Sequence, residues 1–248
     1  MQLHPFSLKG KKILITGASS GIGRATAIVC SQLEGSLIIT GRNINRLEET
    51  INDLDGDTHE LVKADLTNKY EIERLIEITP KLDGVVYCAG TQENCIAKML
   101  NRDILNRVIE TNLYSVIELN AQLLLNKKIN KGASIVIVSS AAALNISEIG
   151  NSAYSASKGA LISFGRVLAT ELSSRKIRVN TVMPAMVKTN LMNKFDVLPE
   201  EFIENEKKYP LGYGEPEDVA NAIAFLLSNA SKWITGTNIL LDGGYTLK

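Results

Sequence analysis

Short apolar runs alternate along this chain with longer segments in which apolar residues recur every three or four positions. The runs ILIT (13–16), LIIT (37–40) and IVIV (135–138) are apolar at nearly every position, the pattern of strands buried on both faces. Between the first two lies GIGRATAIVCSQL, with Ile22, Ala25, Val29 and Leu33 at helical spacing. The alternation then repeats to the end of the chain. Strands are predicted at KKILITG, SLIITG, HELVKAD, DGVVYCAG, SIVIVSS, IRVNTVM and TNILLDGG, and helices at RNINRLEETINDL and near 68–79, 102–127, 152–174 and 216–228.

Seven strands separated by helices call for parallel pairing with crossover helices on both faces of one sheet. The prediction is an α/β fold, a single-domain doubly wound (Rossmann) seven-stranded parallel sheet flanked by helices, spanning residues 1–248. One long interruption lies between Pro184 and Pro216, mixing charge, proline and aromatic residues. An insert of that length after a sheet strand reads as a substrate lid over 185–215.

At 248 residues and 45% hydrophobic, the chain can bury a core without disulfides or metals. Lys plus Arg and Asp plus Glu balance at 27 each, with no long basic run, so no nucleic-acid partner is expected and a small-molecule substrate is. Cys30, Cys88 and Cys95 lack metal-type spacing and read as reduced thiols; no metal is expected. No apolar run nears the roughly 18 residues of a membrane span, and the N-terminus turns polar too soon for a signal peptide. A cytoplasmic protein without a membrane partner is the expectation. His4 and His59 read as surface residues, and Trp233 as packing at the C-terminal edge.

Between the first strand and helix stands TGASSGIG, with Gly17, Gly21 and Gly23. Glycine is needed where the chain turns off a strand and where backbone approaches a pyrophosphate at a helix N-terminus. The spacing differs from G-x-G-x-x-G, and a tight turn without a ligand is the competing reading. At the end of the second strand, Gly41 stands where an NAD-preferring protein places a carboxylate, followed by Arg42 and Asn43. A 2′-phosphate would meet no repulsion there and could take a charge-assisted contact. NADP (NADPH) is favoured over NAD, against the alternative of a solvated arginine.

Tyr154 precedes Lys158 by one helical turn in NSAYSASKG, which puts phenol and ammonium on one face. The pair also occurs by chance on many helices. A free phenol titrates near 10, and bringing it near 7 takes roughly 4 kcal/mol of preferential stabilisation of the phenolate. An ammonium in a desolvated cleft, helped by oxidised nicotinamide, is able to supply that order of energy.

TGASSGIG, CAG after the fourth strand, Asn112 in ETNLYS, the serines of VSS, YSASK and DGG, in this order, resemble the short-chain dehydrogenase/reductase family over essentially the whole chain. The resemblance implies Tyr154 as general acid/base, Lys158 on the nicotinamide ribose lowering the tyrosine's pKa, Ser140 on the substrate oxygen and Asn112 in a proton relay. It implies cofactor contacts from Gly17, Ser19, Ser20, Gly21, Ile22, Gly23, Arg42 and Asn43, and from Asp65, Leu66, Cys88, Ala89 and Gly90. Tyr154, Lys158, Pro184, Val187 and Thr189 complete the set. It further implies a homotetramer.

Several positions depart from the family pattern. Tyr154 lies 14 residues after Ser140 and 15 after Ser139, longer than usual, so either serine fits by spacing and Ser140 is preferred. YCAG replaces the usual NNAG, which puts the bracing bonds of the missing asparagine in question. Ala185 follows Pro184 where glycine is common.

The expected function is an NADP(H)-dependent oxidoreductase interconverting a carbonyl and a secondary alcohol by hydride transfer. The likeness to 3-oxoacyl-carrier-protein reductases is general. The alternatives are an NADP-binding regulator or scaffold without turnover, and an NAD-dependent sugar-nucleotide enzyme.

Overall fold

The computed structural model describes residues 4–189 and 199–247. Seven strands, β1 (Lys12–Thr16), β2 (Ser36–Gly41), β3 (Glu60–Lys63), β4 (Leu82–Tyr87), β5 (Ile129–Val138), β6 (Arg178–Pro184) and β7 (Asn238–Leu241), form one sheet in the order β3-β2-β1-β4-β5-β6-β7. Every pairing is parallel. The helices are α1 (Gly21–Gln32), α2 (Ile44–Asn52), α3 (Lys69–Ile78), α4 (Arg102–Ile109), α5 (Ser115–Leu125), α6 (Ser152–Glu171), α7 (Pro199–Glu206) and α8 (Pro216–Leu227).

The unbroken apolar runs are explained by two cores. Leu14, Val85, Ile135 and Val179 face one side, where they meet Leu75 of α3, Leu119 of α5 and Leu161 of α6. Ile13, Ile15, Val86 and Val136 face the other, with Ala27 of α1, Leu47 of α2 and Ile223 of α8. Successive side chains of one strand thus enter opposite cores, so apolar residues are called for on both faces.

Two elements differ from expectation. β5 begins at Ile129, five residues before the predicted strand at Ser134, because Leu82 pairs with Ile129 across a register shift and Lys131 and Gly132 are exposed. The helix expected over 102–127 is interrupted by a π turn at Glu110–Tyr114, a feature common at functional sites. Trp233 does not pack: it is 96% exposed. His59, just before β3, is tied to β2, its Nδ1 accepting from Leu37 N at 3.3 Å. Of the lid expected at 185–215, residues 190–198 lie outside the described residues, and α7 belongs to the part that is described.

The C-terminal carbonyls of α8 have no partners within the helix. Arg178 gathers them, donating from Nη2 to the carbonyls of Leu226 (2.7 Å) and Ser228 (3.1 Å) and from Nη1 to Ser231 Oγ (2.9 Å). Lys11 Nζ donates to the Leu227 carbonyl at 2.7 Å, and both cations also suit the negative end of the helix dipole. Arg178→Met is expected to lower the unfolding free energy by about 2–4 kcal/mol, read from urea denaturation. Lys9→Met, which removes only an exposed pair with Glu34, should leave the midpoint in place.

Candidate active site

The strand order reverses between β1 and β4, and at such a switch point the loops leaving the carboxyl ends of the strands part to form a crevice. Gly17 leaves β1 at φ +68, and a Cβ there would lie 2.8 Å from the Cα and N of Ala89. At Gly23 a Cβ would lie 2.3 Å from the Gly17 carbonyl oxygen. The loop therefore turns back on α1 and presses against the backbone after β4, an approach closed to any larger residue. Ser20, the N-cap of α1, makes no side-chain cap bond, and the first turn holds no acidic residue. Backbone N–H donors and the positive helix end are left to face the groove, a cradle for a diphosphate.

The far end of this groove is lined by Gly41, Arg42, Asn43 and Arg46 on one side and Asp65, Leu66 and Thr67 on the other. Arg46 is an addition to the sequence-based set; its spacing of four from Arg42 was the available signal. Asn43 has a structural task, its Oδ1 accepting from Arg46 N at 3.1 Å to cap α2. Asp65 Oδ1 accepts from Thr67 N and Oγ1 at 3.0 and 2.8 Å. Leu66 turns its side chain into the core at 8% exposure. Two guanidinium groups line this end, and no carboxylate stands at Gly41.

The groove continues past Ile22, Cys88, Gly90 and Thr189, which line both of its parts, into a cleft holding Ser140, Tyr154, Lys158, Pro184 and Val187. One helical turn of α6 sets Tyr154 and Lys158 on the same face, with Nζ 5.8 Å from the ring centroid. Lys158 is 4% exposed and donates to the Val138 carbonyl at 2.9 Å. Burial lowers its pKa to about 8.

For Tyr154 in the protein without cofactor, burial dominates. Burial pushes the phenol above its ordinary value, Ser140 pulls it back, and Glu148 adds to the rise. Lys158 is not what governs it here, because its ammonium is turned to the Val138 carbonyl and is itself disfavoured by burial.

The two serines have different surroundings. Ser139 Oγ donates to the Lys158 carbonyl at 2.7 Å, joining the end of β5 to α6. Ser140 Oγ accepts from Ala142 N at 3.1 Å and lies 3.5 Å from the Pro184 carbonyl, and it is the serine that acts on the Tyr154 phenol.

Asn112 sits in the π turn, fully buried, and lines neither part of the groove. Its Oδ1 accepts from Thr91 N (2.7 Å), and Nδ2 donates to Thr91 O (2.9 Å) and Ser157 Oγ (3.0 Å). It braces the loop after β4 against α6. Ser157 was not singled out from the sequence, nor was Thr16, whose Oγ1 accepts from Cys88 N (3.1 Å) and Ala89 N (3.2 Å). Thr16 supplies bracing where YCAG departs from NNAG. The Cys88 thiol is pushed up to about 12 by burial, against the opposing pull of Lys158 and Thr26. Ala185 accepts its methyl without strain, since it is not among the residues of positive φ.

The chain matches, over residues 17–246, the family model described as enoyl-(acyl carrier protein) reductase. It is 37% identical to a 3-oxoacyl-[acyl-carrier-protein] reductase of Rickettsia felis, over 96% of this chain and 97% of that one. A reductase of the same description from Thermotoga maritima is 34% identical, over 97% and 99%. A solved short chain dehydrogenase family protein from Francisella tularensis superposes with TM-score 0.85 at 30% identity, over 96% and 99% of the two chains. A structure from Beutenbergia cavernae with bound NADP at low occupancy gives 0.88 at 27% identity, over 99% and 100%. With this likeness running its whole length, on this fold and around this groove, the chain belongs to the short-chain dehydrogenase/reductase family of NAD(P)-dependent enzymes.

Proposed function

We propose that the protein is an NADP(H)-dependent reductase of 3-oxoacyl compounds, converting the carbonyl to a secondary alcohol. The observation that carries this is one continuous groove with Arg42 and Arg46 at one end and Ser140, Tyr154 and Lys158 at the other. The substrate class is supported by the reductases named above, similar over nearly the whole chain. The bound nicotinamide supplies the hydride. The residues of the chain bind, orient and protonate.

The uncapped start of α1 and the loop from Gly17 to Gly23 hold the diphosphate, while Arg42 and Arg46 hold the 2′-phosphate. Ser140 Oγ donates to the substrate carbonyl oxygen and fixes it beside Tyr154. The Tyr154 hydroxyl would give its proton to that oxygen in reduction, and the Lys158 ammonium would stabilise the phenolate left behind. In the reverse direction the same phenolate takes the proton from the alcohol. Asn112, Ser139 and Ser157 are positioning residues. The segment over 185–215 acts as a lid, and the protein works in the cytoplasm as a homotetramer.

Tyr154→Phe should lower carbonyl reduction by roughly 10²–10⁴-fold while NADPH still binds, measured by steady-state rates and nicotinamide fluorescence. Full activity in that variant, or failure of the native protein to bind NADPH, would sink the reading. Arg42→Ala should weaken NADPH by roughly tenfold to a hundredfold and leave NADH near its native affinity; equal losses for both would return Arg42 to the solvent. The acid in reduction must be protonated, and burial keeps Tyr154 so, whereas Lys158 loses its proton as pH rises through about 8. The kcat/KM for reduction should therefore be level below that pH and fall above it. A profile level well above it would remove Lys158 from the reaction.

A further inference from the structure

The catalytic end of the groove holds one charged group that this mechanism does not use. Among the described residues, Lys158 and Glu148 are the charged side chains that line it. Lys158 is buried and bound to a backbone carbonyl. Glu148 stands on the loop between β5 and α6, at the wall of the cleft.

Glu148 is exposed, but its carboxylate is tethered. Asn151, 4% exposed, donates from Nδ2 to Glu148 Oε2 at 2.9 Å. Asn151 Oδ1 in turn accepts from Gln92 Nε2 at 2.5 Å, and Gln92 belongs to the loop after β4, the facing wall. Backbone ties the same two loops together, Cys95 N donating to the Gly150 carbonyl at 2.8 Å. A chain of side chains thus crosses from wall to wall and ends on a carboxylate beside the space where a carbonyl compound would lie. That carboxylate is felt at the reacting end, since Glu148 is among the groups that raise the Tyr154 phenol.

We propose that Glu148 is a specificity-determining residue, a fixed negative charge that turns away anionic carbonyl substrates and admits neutral ones. Free oxo acids are disfavoured against the corresponding esters and thioesters. The inference rests on the carbonyl-reductase reading of this site. A substrate carboxylate brought into the cleft with its carbonyl at Tyr154 would add a second negative charge to a space lined largely by Ala142, Ile146, Met186 and Val187. Because Glu148 is exposed, that repulsion is open to screening by salt. Lys158 attracts anions in every variant alike, so a change confined to residue 148 isolates the glutamate.

The test compares ethyl acetoacetate with acetoacetate, the same ketone with and without a charge, in the native protein, Glu148→Gln and Glu148→Lys. Glutamine keeps an acceptor for Asn151 and removes only the charge. The readout is the ratio of kcat/KM values, or the competitive inhibition constant of acetoacetate against the ester where its turnover is too slow. A ratio cancels any loss of folded enzyme. The preference for the ester should fall roughly fivefold to tenfold in Glu148→Gln and further in Glu148→Lys, with differences that shrink as salt is raised. A ratio unchanged in both variants overturns the inference while leaving the reductase reading intact. Failure of the native protein to reduce the ester removes that reading, and the inference with it.

Discussion

A single ammonium held out of water organises the catalytic end of this protein. An isolated cation in a low-dielectric interior is strongly disfavoured, so it either finds acceptors or gives up its proton. Lys158 finds the Val138 carbonyl at 2.9 Å and still has its pKa lowered to about 8. It is therefore poised close to neutrality, able to hold or yield a proton, where a surface lysine would stay charged. The arrangement needs β5 to end at that carbonyl and α6 to return over it, and Ser139, bonded to the Lys158 carbonyl at 2.7 Å, joins the two elements.

The same economy of space governs the cofactor side. The loop after β1 can lie against Ala89 only because Gly17 and Gly23 lack side chains. Thr16 then satisfies two backbone N–H groups of the facing loop that would otherwise be buried without partners. Asn112 does the same for Thr91 and carries the restraint onward to Ser157 of α6. Gly90 lies directly between these parts: a Cβ there would sit 3.3 Å from Lys158 Nζ and 3.4 Å from Asn112 Oδ1. Cofactor groove and catalytic cleft are consequently joined through the same loop after β4.

Much of this was legible in the chain itself. The doubly wound sheet followed from runs such as ILIT, whose alternate residues Leu14 and Ile15 enter different cores. Tyr154 and Lys158 announced themselves by helical spacing, and the glycine loop by its place after a strand. What stayed hidden depends on distances between segments remote in sequence. Thr16 looks like an ordinary strand residue until β4 lies beside it, and the π turn leaves no periodic mark in ETNLYS. The first half of β5 was obscured by the exposed Lys131 and Gly132. Trp233 shows the reverse failure: an aromatic beside a strand promised burial, and the fold leaves it in solvent. Spacing reports the ammonium beside Tyr154, whereas the burial that raises the phenol in the protein without cofactor sums over every surrounding element.

Tyr154 is thus a stronger acid only when positive charge is brought to it; in the free protein burial makes it a weaker one. The most direct test follows its phenolate by ultraviolet difference absorbance, subtracting Tyr154→Phe from the native protein to remove the other tyrosines, with and without NADP⁺. The predicted result is titration above the ordinary phenol value in the free protein and a shift to lower pH when NADP⁺ is added. Titration at or below the ordinary value in the free protein, or no shift on adding NADP⁺, would contradict it.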